Sequence, residues 1–323
     1  MIDGLGRTIE YLRISVTDRC DLRCVYCMPE CGVPALSHDD ILRYEEIERI
    51  VTAMARLGVK HLRVTGGEPM TRRGCLDLIA GLRAIPGIES VAMTSNGTLL
   101  RGRIDEAKAA GLSSLNISLD TLQPDIYKKI TRGGKLDEVL ETLEEALRSE
   151  LPLKLNVVPL RGWNESELVS LARLAQDRPL CVRFIELMPL GCARELEPVP
   201  QDELLAMLEE AFGPLHPDGT PRGHGPARYW KPAGFVGSLG MISALSHEFC
   251  GDCNRVRLTA DGQLKLCLNH VAELDLRGLL RCGADDRELE KAICAAIAGK
   301  PARHGFLNEI GDREERSMNE IGG

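Results

Sequence analysis

Six short apolar runs alternate with amphipathic stretches along the first two-thirds of this chain, and this alternation constrains the fold most. Each run is rich in β-branched residues and predicts a strand, whereas the stretches between them have the apolar spacing of helices. Strict strand–helix alternation predicts a parallel sheet with right-handed crossovers. The predicted strands are Leu12–Val16, His61–Thr65, Val91–Ser95, Leu115–Leu119, Leu153–Val158 and Val182–Met188. The predicted helices are Tyr44–Leu57, Leu76–Ala84, Gly102–Ala110, Leu136–Arg148, Glu165–Gln176 and Asp202–Phe212.

Polar residues recur at every second position of these strands and so share one face of the sheet. Central parallel strands are normally apolar on both faces, and a closed barrel lined with unpaired charges would be costly. We therefore predict an α/β fold, an open partial (β/α)6 TIM-type barrel whose interior holds a polar, anionic ligand. If the predicted strand register were wrong by one residue, these polar residues would face solvent, but the apolar residues of the same strands would then also be exposed. The residues are Arg13 and Ser15, Arg63 and Thr65, Thr94, Asn116 and Ser118, Lys154 and Asn156, and Glu186 and Met188.

The composition changes after the sixth unit. Ten of the 22 residues from 213 to 234 are Gly or Pro, which predicts an irregular connection. We accordingly divide the chain into a partial barrel, residues 1–222, and a C-terminal region, residues 223–323, that closes the barrel. The last dozen residues are polar, which favours a mobile terminus.

A loop with three cysteines follows the first strand in the run TDRCDLRCVYCMPE. The spacing of Cys20, Cys24 and Cys27 suits a 4Fe–4S cluster in which one iron lacks a protein ligand and is open to chemistry. A zinc site with Cys31 or His38 as fourth ligand is the alternative. A disulfide framework is less favoured, because 323 residues can bury a core without cross-links.

A second cysteine group lies in the C-terminal region, in HEFCGDCNRVRL followed by LKLCL. Its members are Cys250, Cys253 and Cys267. The Asp261-Gly262 turn between apolar runs is expected to fold the third cysteine back toward the first two. The three residues can hold a cluster with an open iron, and a structural zinc with His247 or His270 as fourth ligand is equally compatible.

Two arginines leave this second loop on one strand face. Arg255 and Arg257 are two residues apart, and paired guanidinium groups suit bidentate recognition of phosphate, although an exposed strand face is an alternative. With Arg13, Arg63 and Lys154 they would offer five cations to a polyanion. In addition, the TGGEP run that ends the second strand places glycines where backbone can approach a ligand closely.

The composition excludes several classes of protein. Apolar residues make up 44% and charged residues 27% of the chain, the balance of a globular domain, and the net charge of −8 argues against a nucleic-acid partner. No apolar run reaches the roughly 18 residues of a membrane span. The N-terminal stretch carries Asp3 and Glu10 and lacks a signal sequence, so twelve cysteines point to a reducing, cytoplasmic compartment.

Together these motifs resemble a known family. CxxxCxxC after the first strand and TGGEP after the second are similar to the radical S-adenosylmethionine superfamily. The C-x2-C-x13-C group, the NRVR run and the Gly-Gly end make nearly the whole chain resemble the GTP 3′,8-cyclase family of molybdenum cofactor biosynthesis.

The resemblance implies two 4Fe–4S clusters, S-adenosylmethionine as cosubstrate and GTP as substrate. Cluster ligands would be Cys20, Cys24 and Cys27 for the first and Cys250, Cys253 and Cys267 for the second, whose open iron would touch guanine. Contacts to S-adenosylmethionine would come from Tyr26, Gly67, Ser118 and Met188. Contacts to GTP would come from Arg13, Arg63, Thr94, Lys154, Arg255, Val256 and Arg257. Catalysis would depend on Arg255, Arg257, Gly322 and Gly323, because the chain end would reach into the active site.

The implied reaction is a radical cyclisation. The reduced first cluster would cleave S-adenosylmethionine, and the resulting 5′-deoxyadenosyl radical would remove the 3′-hydrogen of GTP. The product would be (8S)-3′,8-cyclo-7,8-dihydroguanosine 5′-triphosphate, made by a lyase and passed to cyclic pyranopterin monophosphate synthase. An external reductant and a homodimer are further expected partners.

Two alternative functions are also compatible with these motifs, and one residue differs from the family pattern. A radical enzyme that matures a peptide would need more C-terminal cysteines than these, and a zinc-dependent regulatory protein would carry out no catalysis. Asp21 stands where the family commonly has Asn, which affects only local hydrogen bonding and cluster potential. Cys31 has no assigned role.

Overall fold

One mixed sheet organises the protein, for which we used a computed structural model that describes residues 1–220, 223–306 and 314–322. Within those residues the strands are β1 (Tyr11–Ser15), β2 (His61–Thr65), β3 (Ser90–Ser95), β4 (Ser114–Ser118), β5 (Leu153–Val157), β6 (Cys181–Ile185), β7 (His216–Pro217), β8 (Arg228–Lys231), β9 (Ser238–Ile242), β10 (Arg255–Leu258), β11 (Gln263–Lys265) and β12 (Leu274–Asp275). The helices are α1 (Tyr44–Arg56), α2 (Cys75–Ala84), α3 (Ile104–Ala109), α4 (Pro124–Thr131), α5 (Leu136–Arg148), α6 (Leu168–Arg173), α7 (Gln201–Phe212), α8 (Leu276–Arg281) and α9 (Asp286–Ala298).

The strand order confirms the open α/β barrel. It runs β12-β11-β10-β1-β2-β3-β4-β5-β6-β9-β8-β7, and β1 to β6 are parallel neighbours in chain order. The C-terminal half adds β10 parallel to β1 and β9 parallel to β6, and antiparallel strands flank both edges. The two end strands do not pair with each other among the described residues, so the sheet stays open.

The apolar residues of the strands face the helices. In β1, Leu12 and Ile14 are fully buried in the hydrophobic core, whereas Arg13 between them is on the other face. Helix α1 covers this side with Ile47, Ile50 and neighbours at helical spacing. Across the described ranges, no helix has the length and apolar character needed to cross a bilayer.

Some elements differ from those predicted. The region 213–234 is not wholly irregular, because β7 and β8 lie within it and β8 pairs with β9. The edge of an existing sheet supplies hydrogen-bond partners that even a Gly- and Pro-rich segment can use. Helices α4, α8 and α9 were not predicted. The Asp261-Gly262 turn does join β10 and β11 as expected, with Gly262 at φ +84°.

Candidate active site

Polar side chains from neighbouring strands form a row across the inner face of the sheet. Arg13 lies opposite Arg63 of β2 on one side and Arg257 of β10 on the other. Ala92 is the β3 residue opposite Arg63, and two residues further along the strands Thr94 and Lys154 both lie opposite Asn116, so β3, β4 and β5 add polar side chains to the same face. The predicted strand parity is therefore confirmed for these residues, and three guanidinium groups from adjacent strands stand side by side.

The charges of this row are buried and repel one another. Arg63 is 9% exposed and Lys154 8% exposed. Burial, together with the charge of the neighbouring Arg255, lowers the pKa of Arg257 to about 10. Burial and then Arg257 likewise hold the pKa of Arg13 well below its usual range. Such a cluster is stabilised by an anion that bridges several guanidinium groups.

The hydrogen bonds of two members of the row, Arg63 and Arg257, go to neutral groups. Arg63 donates to the Tyr11 hydroxyl and, at 3.2 Å, to Thr94 Oγ1. Arg257 Nη1 donates to the carbonyl oxygen of Gly322 at 2.8 Å. These partners orient the guanidinium groups of Arg63 and Arg257 without cancelling their charge.

Sequence reasoning missed Arg183 and misplaced two residues on β6. The strand ends at Ile185, so Glu186 and Met188 lie in the segment after it rather than on its inner face. The inward residue is Arg183, 6% exposed, which donates to Asn156 Oδ1 from Nε at 3.1 Å. Gly240 on the adjacent β9 leaves the space it needs, because a Cβ there would lie 2.9 Å from Arg183 Cγ. Because side chains alternate along a strand, Arg183 lies on the same face as Cys181, the first residue of β6, and this alternation could have identified it.

Val256 lies between the two arginines of β10 but faces the opposite way. Its side chain is 1% exposed and belongs to the hydrophobic core. Only its main chain can contribute to a ligand site, whereas the side chains of Arg255 and Arg257 alternate with it on the inner face.

The first cysteine group occupies the loop that leaves β1, at the C-terminal ends of the parallel strands. The amide of Cys27 donates to the carbonyl oxygen of Cys24 at 2.9 Å, which forms a tight turn. Burial raises the pKa of Cys24 strongly, and the nearby Cys27 and Cys20 raise it further. Burial also raises the pKa of Cys27 to about 12. Three half-buried thiols in one short loop, which raise one another's pKa, suit a positively charged metal centre that would hold them as thiolates.

The glycines of TGGEP bring β2 against this loop. A Cβ on Gly67 would lie 2.3 Å from the carbonyl oxygen of Arg19, and one on Gly66 would lie 2.6 Å from that of Thr17. The amide of Gly67 donates to the Thr17 oxygen at 2.7 Å. The close approach that requires glycine is therefore to the chain's own loop. Glu68, fully buried, then accepts hydrogen bonds from Ser95 and the Asn96 amide and fixes the position of the next strand end.

The other residues expected to contact S-adenosylmethionine lie at this same end of the sheet. Ser118 ends β4, and Met188 follows β6. Tyr26, within the cysteine loop, donates from its hydroxyl to Asp120 Oδ2 at 2.7 Å. Burial raises the pKa of Asp120 to about 6, although its hydrogen bonds from Val158 and Tyr26 oppose this.

The second cysteine group lies at the opposite end of the strands. Cys253 precedes β10, which runs parallel to β1, and Cys267 follows the antiparallel β11 back to the same end. Burial raises the pKa of Cys253, but Arg255 and Lys300 outweigh it and hold that pKa below its usual range. The arginine row is thus placed between two cysteine groups. The three sulfurs with cations beside them fit a second metal centre that carries a net negative charge.

One histidine beside this second group, His304, was not predicted. Donor atoms of Glu248, Cys250 and His304 lie within 4.8 Å of one another. His247 is exposed and contacts Gln201, and His270 contacts the carbonyl oxygen of Arg303. His304 lies 54 residues beyond Cys250, and no spacing motif connects the two.

The C-terminal segment enters the barrel, so the expectation of a mobile terminus is wrong for residues 314–322. Ile321 is fully buried, and the amide of Met318 donates to the carbonyl oxygen of Cys27 at 3.2 Å. Gly322 has φ +74° and lies against β1 and β2, where a Cβ would be 2.8 Å from Ser15 Cβ. Gly323 lies outside the described residues.

Comparisons with known proteins agree with this arrangement. Residues 14–175 match the Radical SAM superfamily, and residues 180–306 match the family described as Molybdenum Cofactor Synthesis C. Curated proteins named GTP 3′,8-cyclase are 49% identical in Pelotomaculum thermopropionicum and 46% identical in Heliobacterium modesticaldum, each over 100% of both chains. Streptococcus suis SuiB, solved with its precursor peptide SuiA, has a TM-score of 0.62 at 14% identity over 98% of this chain and 76% of that chain, which shows a shared fold alone. At this identity over its full length, the chain belongs to the GTP 3′,8-cyclase family of the radical SAM superfamily.

Proposed function

We propose that this protein converts GTP to (8S)-3′,8-cyclo-7,8-dihydroguanosine 5′-triphosphate, the first step of molybdenum cofactor biosynthesis. As a member of its superfamily it uses S-adenosylmethionine and an iron–sulfur cluster. The observation that carries the choice of substrate is the buried row of Arg13, Arg63 and Arg257, which lies between the two cysteine groups.

The row binds the triphosphate. Arg13, Arg63 and Arg257 present guanidinium groups from three adjacent strands, and Lys154 adds a charge from β5. Thr94, which accepts a hydrogen bond from Arg63, keeps that side chain extended across the face. Charge-assisted hydrogen bonds of this kind hold a polyphosphate in one orientation, so the ribose and base are directed along the barrel.

The two ends of the barrel hold the two centres. Cys20, Cys24 and Cys27 would hold one 4Fe–4S cluster, and Tyr26, Gly67, Ser118 and Met188 would contact S-adenosylmethionine beside it. With that cosubstrate bound, such a cluster supplies one-electron chemistry that can break an unactivated C–H bond. Cys250, Cys253 and Cys267 would hold the second 4Fe–4S cluster, next to Arg255.

The protein's own residues then exclude water from the barrel interior and fix the orientation of the substrate. The buried segment that ends in Ile321 and Gly322 fills the inner face next to Arg257 and shields the interior. Four residues would contact the bound substrate and support its conversion: Arg255, Arg257, Gly322 and Gly323. Exclusion of water protects a reactive sugar carbon from side reactions.

The same proposal includes the partners of the protein, its location and its division into two units. An external reductant would supply electrons, the product would pass to cyclic pyranopterin monophosphate synthase, and the chain would act as a cytoplasmic homodimer. Residues 1–222 would form the barrel unit and residues 223–323 the unit with the second cluster.

Anaerobic incubation tests the proposal. Protein reconstituted with iron and sulfide is mixed with GTP, S-adenosylmethionine and a strong reductant, and the nucleotides are separated by chromatography before mass analysis. The proposed product has the same mass as GTP, so a new peak of unchanged mass is expected. GTP recovered unaltered, by a protein whose iron and absorption show loaded clusters, would refute the substrate. A protein that binds zinc and no iron would refute the reaction class.

A further inference from the structure

A buried salt bridge in the first residues of the chain reaches the second cysteine group. Asp3 has a fully buried side chain and accepts from Arg7 Nε at 2.6 Å. Its other oxygen accepts from the amides of Leu5 and Arg7, both at 2.9 Å. The carboxylate therefore fixes both the turn and the plane of the guanidinium group.

The remaining donors of Arg7 go to carbonyl oxygens far along the chain. Nη1 donates to the oxygen of Cys250 at 2.8 Å. Nη2 donates to the oxygen of Pro301 at 2.8 Å and to that of Lys300 at 3.2 Å. One planar fork thus connects the N-terminal turn, the first cysteine of the second group and the segment after α9.

Lys300 contacts the two segments that carry the other cysteines of that group. Its ammonium group is buried, with the residue 4% exposed, and donates to the carbonyl oxygen of Arg255 at 2.9 Å. It also donates to the oxygen of Leu266, the residue before Cys267.

From these contacts we infer that Arg7 and Lys300 are positioning residues that preorganise Cys250, Cys253 and Cys267 for the second cluster. The inference rests on the proposed function, because it needs that cluster. Groups that orient the ligands of a metal site strongly affect how well the site retains its metal. A lysine could not replace Arg7, since an ammonium group lacks the planar fork that reaches a carboxylate and several carbonyls at once.

The test isolates the second site. In a parent protein with Cys20, Cys24 and Cys27 all changed to Ser, only the second group can bind a cluster. Adding Arg7→Gln is expected to speed loss of iron to a chelator by about tenfold or more and to broaden the electron paramagnetic resonance signal of the reduced cluster. Arg7→Lys should behave like Arg7→Gln, and Lys300→Met should also speed the loss.

Arg49→Gln is the matched control, because Arg49 pairs with Asp286 at 3.1 Å on a surface away from both loops and is 41% exposed. It should lose iron at the parent rate. Equal rates in Arg7→Gln and in this control would overturn the inference. So would loss of the first cluster from Arg7→Gln in the protein with all cysteines, since that indicates general unfolding. A parent that binds no iron would instead refute the second cluster itself.

Discussion

Arg257 Nη1 donates a 2.8 Å hydrogen bond to the carbonyl oxygen of Gly322, and this contact joins β10 to a chain segment 65 residues later. Gly322 is buried at φ +74° between Arg257 and the strands β1 and β2. The chain end is thus part of the same surface as the arginine row. A change at Gly322 should therefore act on the substrate site rather than on the fold.

We predict that Gly322→Ala sharply reduces formation of cyclised product while both clusters remain loaded. A Cβ there would lie 2.8 Å from Ser15 Cβ and 3.1 Å from Thr65 Oγ1, and it would add the strain of a left-handed residue, about 1 kcal/mol. Iron content and product yield are measured together. Gly162→Ala is the control, because Gly162 has φ +73°, close to that of Gly322, with no atom within 4 Å of its Cβ position. Equal effects of the two substitutions would exclude a role for the close contact.

Deleting Gly322 and Gly323 should leave iron content and GTP affinity largely unchanged but eliminate cyclised product. Within the described residues, the side-chain hydrogen bond to Gly322 comes from Arg257 and not from either cysteine loop. Iron analysis, GTP titration and chromatography of the nucleotides test each part separately. A truncated protein that cyclises GTP at the full rate would contradict the proposed role of the chain end.

Cys20→Ala, Cys24→Ala or Cys27→Ala should each abolish cleavage of S-adenosylmethionine and reduce iron to about half, because the second group assembles independently. The two groups lie at opposite ends of the parallel strands and share no loop. Iron content and 5′-deoxyadenosine formation are measured on the same sample. Cleavage retained in any of the three variants would remove the first group from the reaction.

Arg257→Ala should weaken GTP binding by about 1.5–3 kcal/mol, the loss expected for a charge-assisted hydrogen bond. Arg255→Ala should have an effect of the same order, since both side chains share the inner face of β10. Binding of S-adenosylmethionine should barely change. Arg103→Ala, which removes an exposed pair with Glu106, serves as the control for both ligands. Equal weakening of both ligands by Arg257→Ala would indicate a folding defect.

The buried carboxyl group of Asp120 should make stability depend on pH. Its pKa is raised by burial from 3.8 to about 6, so the folded protein holds the proton more tightly than the unfolded chain. The resulting stabilisation is complete below about pH 4 and is lost as the pH rises through 6, by up to about 3 kcal/mol. Asp120→Asn can keep both hydrogen-bonded neighbours and should remove this dependence.

Denaturant unfolding of the cluster-free protein from pH 4 to 8 measures the effect. The stability of the unsubstituted protein relative to Asp120→Asn should fall across this range and level off above pH 7. A constant difference between the two proteins would show that Asp120 ionises with an ordinary pKa.

The barrel was predictable from the sequence because strand and helix periods are local. The predicted His61–Thr65 and Leu136–Arg148 match β2 and α5 residue for residue, and the parity of Arg13 and Arg63 placed both on the inner face. Arg183 was missed because the predicted strand ran past its end at Ile185. Glu186 and Met188, which lie beyond that end, were therefore used to assign the inner face.

Long-range contacts were not predictable in this way. No local pattern connects Arg7 with Cys250 or His304 with Glu248, because folding alone brings these distant segments together. The burial of Ile321 was likewise not predictable from local sequence. A polar terminal segment is normally exposed to solvent, but here it lies along an inner face lined with hydrogen-bonding groups.

Transfer of deuterium from GTP tests the central claim most directly. The loaded protein is incubated with GTP deuterated at C3′, S-adenosylmethionine and a reductant, and both products are analysed by mass. If the barrel holds the ribose against the cosubstrate, the hydrogen removed from C3′ should appear in 5′-deoxyadenosine, one mass unit heavier, and the cyclised nucleotide should lack deuterium. Formation of unlabelled 5′-deoxyadenosine, with deuterium retained in the nucleotide, would contradict the account.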